Sequence, residues 1–186
     1  MSFILINPCF NFIMTESVIS TEALSYSFGQ QQILHNVALQ VPKGAIYGFL
    51  GPNGAGKTTT IKILLSLLKV PSKRVFLFGQ DLSENRPEIL RRVGALVEQP
   101  AIYTHLTGRE NLKNRAMILE LPEERVEEVL WLTGLEEAAD KNAGKYSLGM
   151  KQRLGIGLAL LNDPEILILD EPTNGLDPNG IIEVRK

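Results

Sequence analysis

The stretch Gly51-Pro52-Asn53-Gly54-Ala55-Gly56-Lys57-Thr58 constrains this chain more than any other. An apolar run before it, Ala45 to Leu50, reads as the buried central strand of a sheet, and Thr59 to Lys69 after it carries helical apolar spacing. Glycines at 51, 54 and 56 let the backbone turn tightly and point N–H groups inward, and the helix that follows adds the positive end of its dipole. A triphosphate needs such convergent donors, with no side chains in the way. Lys57 is placed to reach the β and γ phosphates and the Thr58 hydroxyl to bind Mg²⁺, so the nucleotide-binding set runs from Gly51 through Thr59.

At 186 residues, 44% hydrophobic and 22% charged, the chain suits one domain with a substantial core. A net charge of −2 provides no basic field for nucleic acid or anionic lipid, and no nucleic-acid partner is expected. The single cysteine, Cys9, excludes an internal disulfide or a multi-Cys metal site and fits a reducing compartment. Residues 1–16 are read as a loose N-terminal extension, with Met14 as an alternative start, because Asn7, Pro8 and Asn11 interrupt the apolar run well short of a membrane span.

Residues 17–28 and 33–41 read as two antiparallel strands joined by a turn at Gly29, with Ile33, Val37, Leu39 and Val41 on one half-buried face and His35 in the same register. Short strands follow at 75–78 and 95–98, with a helix at 86–92 between them. From Leu106 to Asp140 strand-like runs give way to helical spacing. Pro122 suits a first helical position, Val126, Val129, Leu130 and Thr133 share a face, and Gly134 caps the end. Ser147 caps a further helix that Asn162-Asp163-Pro164 stops. Ile166-Leu167-Ile168-Leu169 then fits a strand buried on both faces of a parallel sheet.

That strand ends in Asp170-Glu171, and in open parallel sheets ligands bind beyond the carboxyl ends of the strands. The acid pair is therefore expected beside the phosphate loop. Asp170 suits Mg²⁺ or its water shell, and Glu171 suits the water that attacks the γ phosphate.

The order of these motifs resembles the ATPase subunit of ATP-binding cassette transporters, from about Tyr26 to the end of the chain. The motifs are the loop Gly51 to Thr58, Gln99 after a strand, Tyr146-Ser147-Leu148-Gly149-Met150 followed by Lys151-Gln152-Arg153, the run Ile166 to Glu171, and Asn174-Gly175-Leu176-Asp177. The resemblance implies an α/β fold, a P-loop NTPase core at 17–186 with an N-terminal antiparallel β subdomain and an inserted α-helical subdomain at about 101–150. It implies that Gln99 senses Mg²⁺ and the γ phosphate and touches a membrane partner, and that Phe28, with Tyr26 as the alternative, stacks on adenine. Ser147 and Gly149 match the signature loop that binds the γ phosphate of ATP held by an opposite subunit, and Asp177 matches the loop that shapes the site across that dimer. ATP and Mg²⁺ are the implied cofactors, Lys57, Gln99 and Glu171 the catalytic set, and a separate membrane permease and a second ATPase subunit the partners. The implied location is the cytoplasmic face of the cell membrane.

Two departures from the family pattern stand out. Its usual signature is Leu-Ser-Gly-Gly-Gln, whereas here Tyr146 replaces the Leu, Leu148 the first Gly and Met150 the Gln. The variant resembles an export-type branch that serves antibiotic and antimicrobial-peptide self-protection. The chain also stops at Lys186, before the family's later strand and switch-loop histidine, so a C-terminal truncation is expected. His35 and His105 both precede the acid pair and read as surface or turn residues. The rival readings are a soluble cassette ATPase acting on ribosomes or DNA, and an ATP-binding fragment without efficient turnover. The spacing of positions 100–146 between Gln99 and Ser147 suits a transporter-type helical subdomain and favours the transporter reading.

Overall fold

The computed structural model describes residues 2–6, 16–69 and 71–173. In chain order the strands are β1 (Ser2–Ile6), β2 (Ser17–Phe28), β3 (Gln31–Pro42), β4 (Tyr47–Phe49), β5 (Val75–Leu77), β6 (Gln80–Asp81), β7 (Val93–Leu96) and β8 (Ile166–Leu169). The helices are α1 (Lys57–Leu64), α2 (Arg86–Arg91), α3 (Gly108–Ile118), α4 (Glu123–Leu132) and α5 (Leu148–Leu160). This is an α/β fold, as the sequence implied.

One sheet has the order β3-β2-β5-β6 and is antiparallel throughout. The hairpin of β2 and β3 turns at Gly29, as expected, but the single alternating face on β3 is interrupted. Leu24 pairs with Val37 and Tyr26 with Leu34, so three steps on β3 oppose two on β2, and Asn36 takes a φ of 49° at the bulge. Leu34 is thereby buried along with Leu39 and Val41, while His35 turns out to solvent.

The other sheet has the order β4-β1-β8-β7. β8 pairs in parallel with β7 in the register Val93↔Ile166 to Leu96↔Leu169, and all four β8 side chains are buried. β1 differs from the loose extension expected for residues 1–16: it pairs antiparallel with β4 on one side and with β8 on the other. A five-residue stretch rich in Ile, Leu and Phe satisfies both rows of backbone groups, which no local pattern announced. Among the described residues β4 lies at the sheet edge instead of its centre, because β1 takes the place beside β8; Ile46 and Leu50, read as part of that strand, fall outside it and are exposed.

α1 stops at Leu64, short of the Lys69 that periodicity suggested. Ser66 takes a φ of 57°, its N–H donates to Ile63 O at 2.9 Å and that of Leu67 to Lys62 O at 2.8 Å, a Schellman end built without glycine. α4 ends the same way on Gly134, where the sequence placed it, with Leu135 N–H donating to Leu130 O at 2.9 Å. Pro122 is the N-cap of α4, one position before the first helical residue. α3 opens with a reciprocal capping box between Thr107 and Glu110.

Three apolar clusters organise the described residues. The largest joins the antiparallel sheet to α1 and to Ile166 and Ile168. A second lies wholly within the helical region, around Leu112, Val126, Val129, Leu130, Tyr146 and Leu154. A small third cluster, Leu96, Ala159, Leu167 and Leu169, seats α5 on β7 and β8. The start of β8 is pinned by Arg92, which donates to both Glu165 oxygens at 2.5 and 2.9 Å and lies 3.6 Å over the Phe78 ring. The bond from Arg92 holds the Glu165 carboxyl below its ordinary pKa, so this contribution is present at neutral pH and is lost as pH falls through that lowered value.

Two stability changes should follow. Ser66→Gly relieves a left-handed conformation costing about 1 kcal/mol, which for a chain of this size is a rise of about 2–4 °C in Tm by calorimetry; a fall would contradict the observed cap. Ile4→Pro removes a ladder N–H between β4 and β8 and should lower Tm by about 2–10 °C, the range for a lost hydrogen bond plus local strain.

Candidate functional site

The loop between β4 and α1 has the backbone geometry of an anion cradle. Gly54 and Gly56 take φ values of 82° and 85°, and Gly56 caps α1 without any side-chain hydrogen bond. No acidic residue occupies the first turn, so the orphan N–H groups of α1 and its dipole face the loop uncompensated. Lys57 is buried and folds back over the loop, donating to Gly51 O at 2.9 Å and Pro52 O at 3.1 Å. Thr60 ties the helix start down by donating its hydroxyl to Gly56 O at 3.0 Å. A Cβ on Gly56 would lie 2.4 Å from a Leu34 methyl, so β3 packs directly under the loop. Thr58 and Thr59 follow as half-buried first-turn residues.

Leu34 pairs with Tyr26 across the hairpin, which brings the β2 end carrying Phe28 to the same side as the loop. Phe28 is 51% exposed and stands edge-on to Tyr26 with ring centroids 5.2 Å apart. Such a ring is held in place yet open to a flat partner.

Beside the loop lies a cleft of about 920 Å³ that brings together Thr58, Gln99, Asp170 and Glu171. Three separate elements supply them: α1, the segment leaving β7, and the end of β8. The parallel ladder continues one step past its last pair, with Asp170 N–H donating to Leu96 O at 2.8 Å, so Asp170 stands level with Val97, just before Gln99 on the neighbouring segment. Asp170 is only 2% exposed. Glu171 takes a φ of 49°, a left-handed conformation that costs a non-glycine residue about 1–2 kcal/mol and turns the chain sharply out of the strand. Glu98, also in the cleft, is paired with Lys62 at 2.7 Å.

The opposite wall of the cleft is the first turns of α5, through Leu148, Lys151 and Gln152. Ser147 caps this helix, its hydroxyl accepting from Met150 N–H at 3.2 Å, and it is exposed, while Gly149 is buried. Tyr146, the residue before it, is buried, and burial pushes its phenol pKa up, which keeps it a hydrogen-bond donor at neutral pH. Lys151 and Gln152, which the sequence offers only as the continuation of the signature motif, line the cleft as well, and their spacing about one turn beyond Ser147 is a signal that could have found them. Asp177 and the rest of Asn174-Gly175-Leu176-Asp177 lie outside the described residues. Among the described residues no three His, Cys, Asp or Glu side chains form a metal cage. The Thr58 hydroxyl and the Asp170 carboxylate fit a hard divalent ion that takes its remaining oxygen ligands from phosphate and water.

A second groove, about 480 Å³, runs between α3, α5 and the segment after β7, lined by Ala95, Tyr103, Asn111, Met117, Ile118 and Leu158. Tyr103, Met117 and Ile118 are large apolar side chains left exposed there. No helix among the described residues is long and apolar enough to cross a membrane.

Residues 34–174 match the family described as ABC transporter. A bacitracin transport ATP-binding protein, BcrA, of Bacillus licheniformis is 51% identical over 171 residues, covering 91% of this chain and 56% of that protein. A lantibiotic transport ATP-binding protein, SrtF, of Streptococcus pyogenes is 41% identical over 169 residues, covering 91% of this chain and 72% of that protein. Among solved structures, cbiO1 from Clostridium perfringens, part of the ABC transporter complex cbiONQ, superposes with a TM-score of 0.81 at 28% identity over 90% of this chain and 70% of that one. The chain thus spans little more than half the length of the bacitracin relative.

If the loop is the anion cradle, Gly56→Ala must disturb it through both the φ of 85° and the contact with Leu34. A strain of about 1–2 kcal/mol corresponds to roughly tenfold weaker nucleotide binding, measured with a fluorescent ATP analogue. Unchanged affinity would exclude the loop as the binding site.

Proposed function

This chain belongs to the ABC transporter family, and we propose that it binds and hydrolyses ATP to power a separate membrane permease that exports an antibiotic or antimicrobial peptide. The observation that carries this reading is the single cleft shared by Thr58, Gln99, Asp170 and Glu171 beside a loop shaped for phosphates.

In this reading the backbone N–H groups from Asn53 through Thr59 and the Lys57 ammonium hold the β and γ phosphates, and Phe28 stacks on the adenine. Binding ATP exchanges the Lys57 bonds to Gly51 O and Pro52 O for bonds to phosphate oxygens. Thr58, Asp170 and Gln99 are the residues that would hold Mg²⁺, which supplies charge neutralisation between the two phosphates when bound. Glu171 orients a water in line with the γ phosphorus and accepts its proton as the new oxygen–phosphorus bond forms. The bond from that phosphorus to the bridging oxygen breaks, ADP keeps the electron pair, and inorganic phosphate leaves. The strained backbone at Glu171 fixes where its carboxylate points, and Gln99, exposed at the cleft edge, reports the γ phosphate toward the outer surface.

Ser147 and Gly149 act on ATP bound by a second ATPase subunit, and Asp177 shapes that joint site. The two subunits close on two ATP molecules and separate when the γ phosphates are cleaved. The apolar groove at Tyr103, Met117 and Ile118 is suited to receive a cytoplasmic segment of the permease, which would hold this subunit at the cytoplasmic face of the membrane. The names of the bacitracin and lantibiotic relatives support the substrate class.

Glu171→Gln keeps the shape and removes the base. Its ATP turnover should fall by about 10²–10⁴-fold with ATP binding retained, measured by phosphate release and by titration. Equal turnover of the two proteins would sink the catalytic assignment, and co-purification with ribosomes in place of membrane protein would sink the transport assignment.

A further inference from the structure

Tyr146 stands where the family's usual signature has leucine, and the structure gives its hydroxyl a task that leucine cannot perform. The side chain is 4% exposed and donates from Oη to Ala138 O at 2.6 Å. A Cβ on Gly108 would lie 2.1 Å from that oxygen and 3.1 Å from the ring carbon bearing it. Only a glycine at 108 leaves room for the phenol. Gly108 is the first residue of α3, directly after the Thr107 cap. Around this contact, Gly108 N–H donates to Lys141 O at 3.3 Å and Arg109 N–H to Ala139 O at 2.9 Å, while Thr107 and Asn142 form an isolated bridge. Tyr146 is therefore a wedge driven between the start of α3 and the turn segment 138–145.

The wedge touches the site at one end and the apolar groove at the other. Along the chain Tyr146 is the residue before Ser147, the cap of α5. Along α3, one turn from Gly108, Asn111 is buried and clasps Tyr103 of the groove, accepting from its N–H at 2.7 Å and donating to its carbonyl at 3.0 Å. Groove, α3, Tyr146 and Ser147 thus form one contiguous line of short contacts.

We infer that Tyr146, seated against Gly108, is a positioning residue that sets the place of Ser147 relative to α3, so that a partner in the groove and ATP on the opposite subunit act on the same rigid piece. This rests on the reading that Ser147 meets the opposite subunit's γ phosphate. The hydroxyl is separable from folding, because Ala138 O also accepts from Lys141 N–H at 3.0 Å and stays satisfied without it.

The test uses the Glu171→Gln chain, in which ATP stays uncleaved, and follows ATP-dependent dimer formation by light scattering together with nucleotide affinity of the single chain and Tm. Adding Tyr146→Phe should raise the ATP concentration needed for half-maximal dimer about fivefold, the factor expected for losing one hydrogen bond. Single-chain nucleotide affinity should stay close to the parent, and Tm should fall by no more than about 2–4 °C, which is what one hydrogen bond is worth. Gly108→Ala should impair dimer formation more strongly, and Tyr146→Leu placed beside it should restore part of the loss by vacating the clash. Normal dimer formation in Tyr146→Phe overturns the inference, as does a loss that tracks an equal fall in Tm and nucleotide affinity. Ser147→Ala separates the two failures: if it dimerises normally, or if the parent forms no ATP-dependent dimer, the signature reading itself fails. If Ser147→Ala is impaired and Tyr146→Phe is not, only the inference fails.

Discussion

The parallel ladder between Val93–Leu96 and Ile166–Leu169 is the interaction on which the rest of the molecule depends. A backbone ladder has a fixed register, and this one continues for one more step, through Asp170 N–H and Leu96 O. Wherever these two strands end, they end together, and the residues that follow them, Gln99 on one and Asp170-Glu171 on the other, emerge into one cleft. The same register buries four consecutive aliphatic side chains of β8, which stabilises the pairing without reference to function. Arg92 and Glu165 pin the entry to β8, and α5 covers the outer face through Ala159.

The helix starts among the described residues differ in how their first N–H groups are satisfied. α3 and α5 begin with hydroxyl caps from Thr107 and Ser147, which satisfy first-turn N–H groups. α1 begins with a glycine, has no side-chain cap and carries no acid in its first turn. α2 and α4 also lack a side-chain cap but carry acids in their first turns, so α1 is the helix whose start is best suited to an external anion among the described residues. Lys57 meanwhile occupies loop carbonyls, which keeps a buried ammonium hydrogen bonded.

The helical region has its own apolar cluster, and α5 belongs to it through Leu154 while resting on the sheet through Ala159. One helix is thus shared between two cores. The cleft lies along this shared helix, with the loop and the acid pair on the sheet side and Leu148, Lys151 and Gln152 on the helical side. A site divided between two packed units is suited to sensing their relative position.

The sequence by itself determined the phosphate loop, the buried β8 strand with its acid pair, the caps at Ser147 and Gly134, and the order of motifs that identifies the family. Each rests on local stereochemistry, a glycine at positive φ, a hydroxyl at a helix start or an unbroken aliphatic run, and local rules act on neighbours in sequence. Tertiary structure alone decided the slot that Ser2–Ile6 takes between β4 and β8, the bulge at Asn36 that turns His35 outward, and the end of α1 at Ser66. It also decided that Gly108 must be a glycine to admit Tyr146 from 38 positions away. These depend on which distant backbone offers a free hydrogen-bonding edge and on how two side-chain volumes share one space, and neither quantity is written in the spacing of residues along the chain.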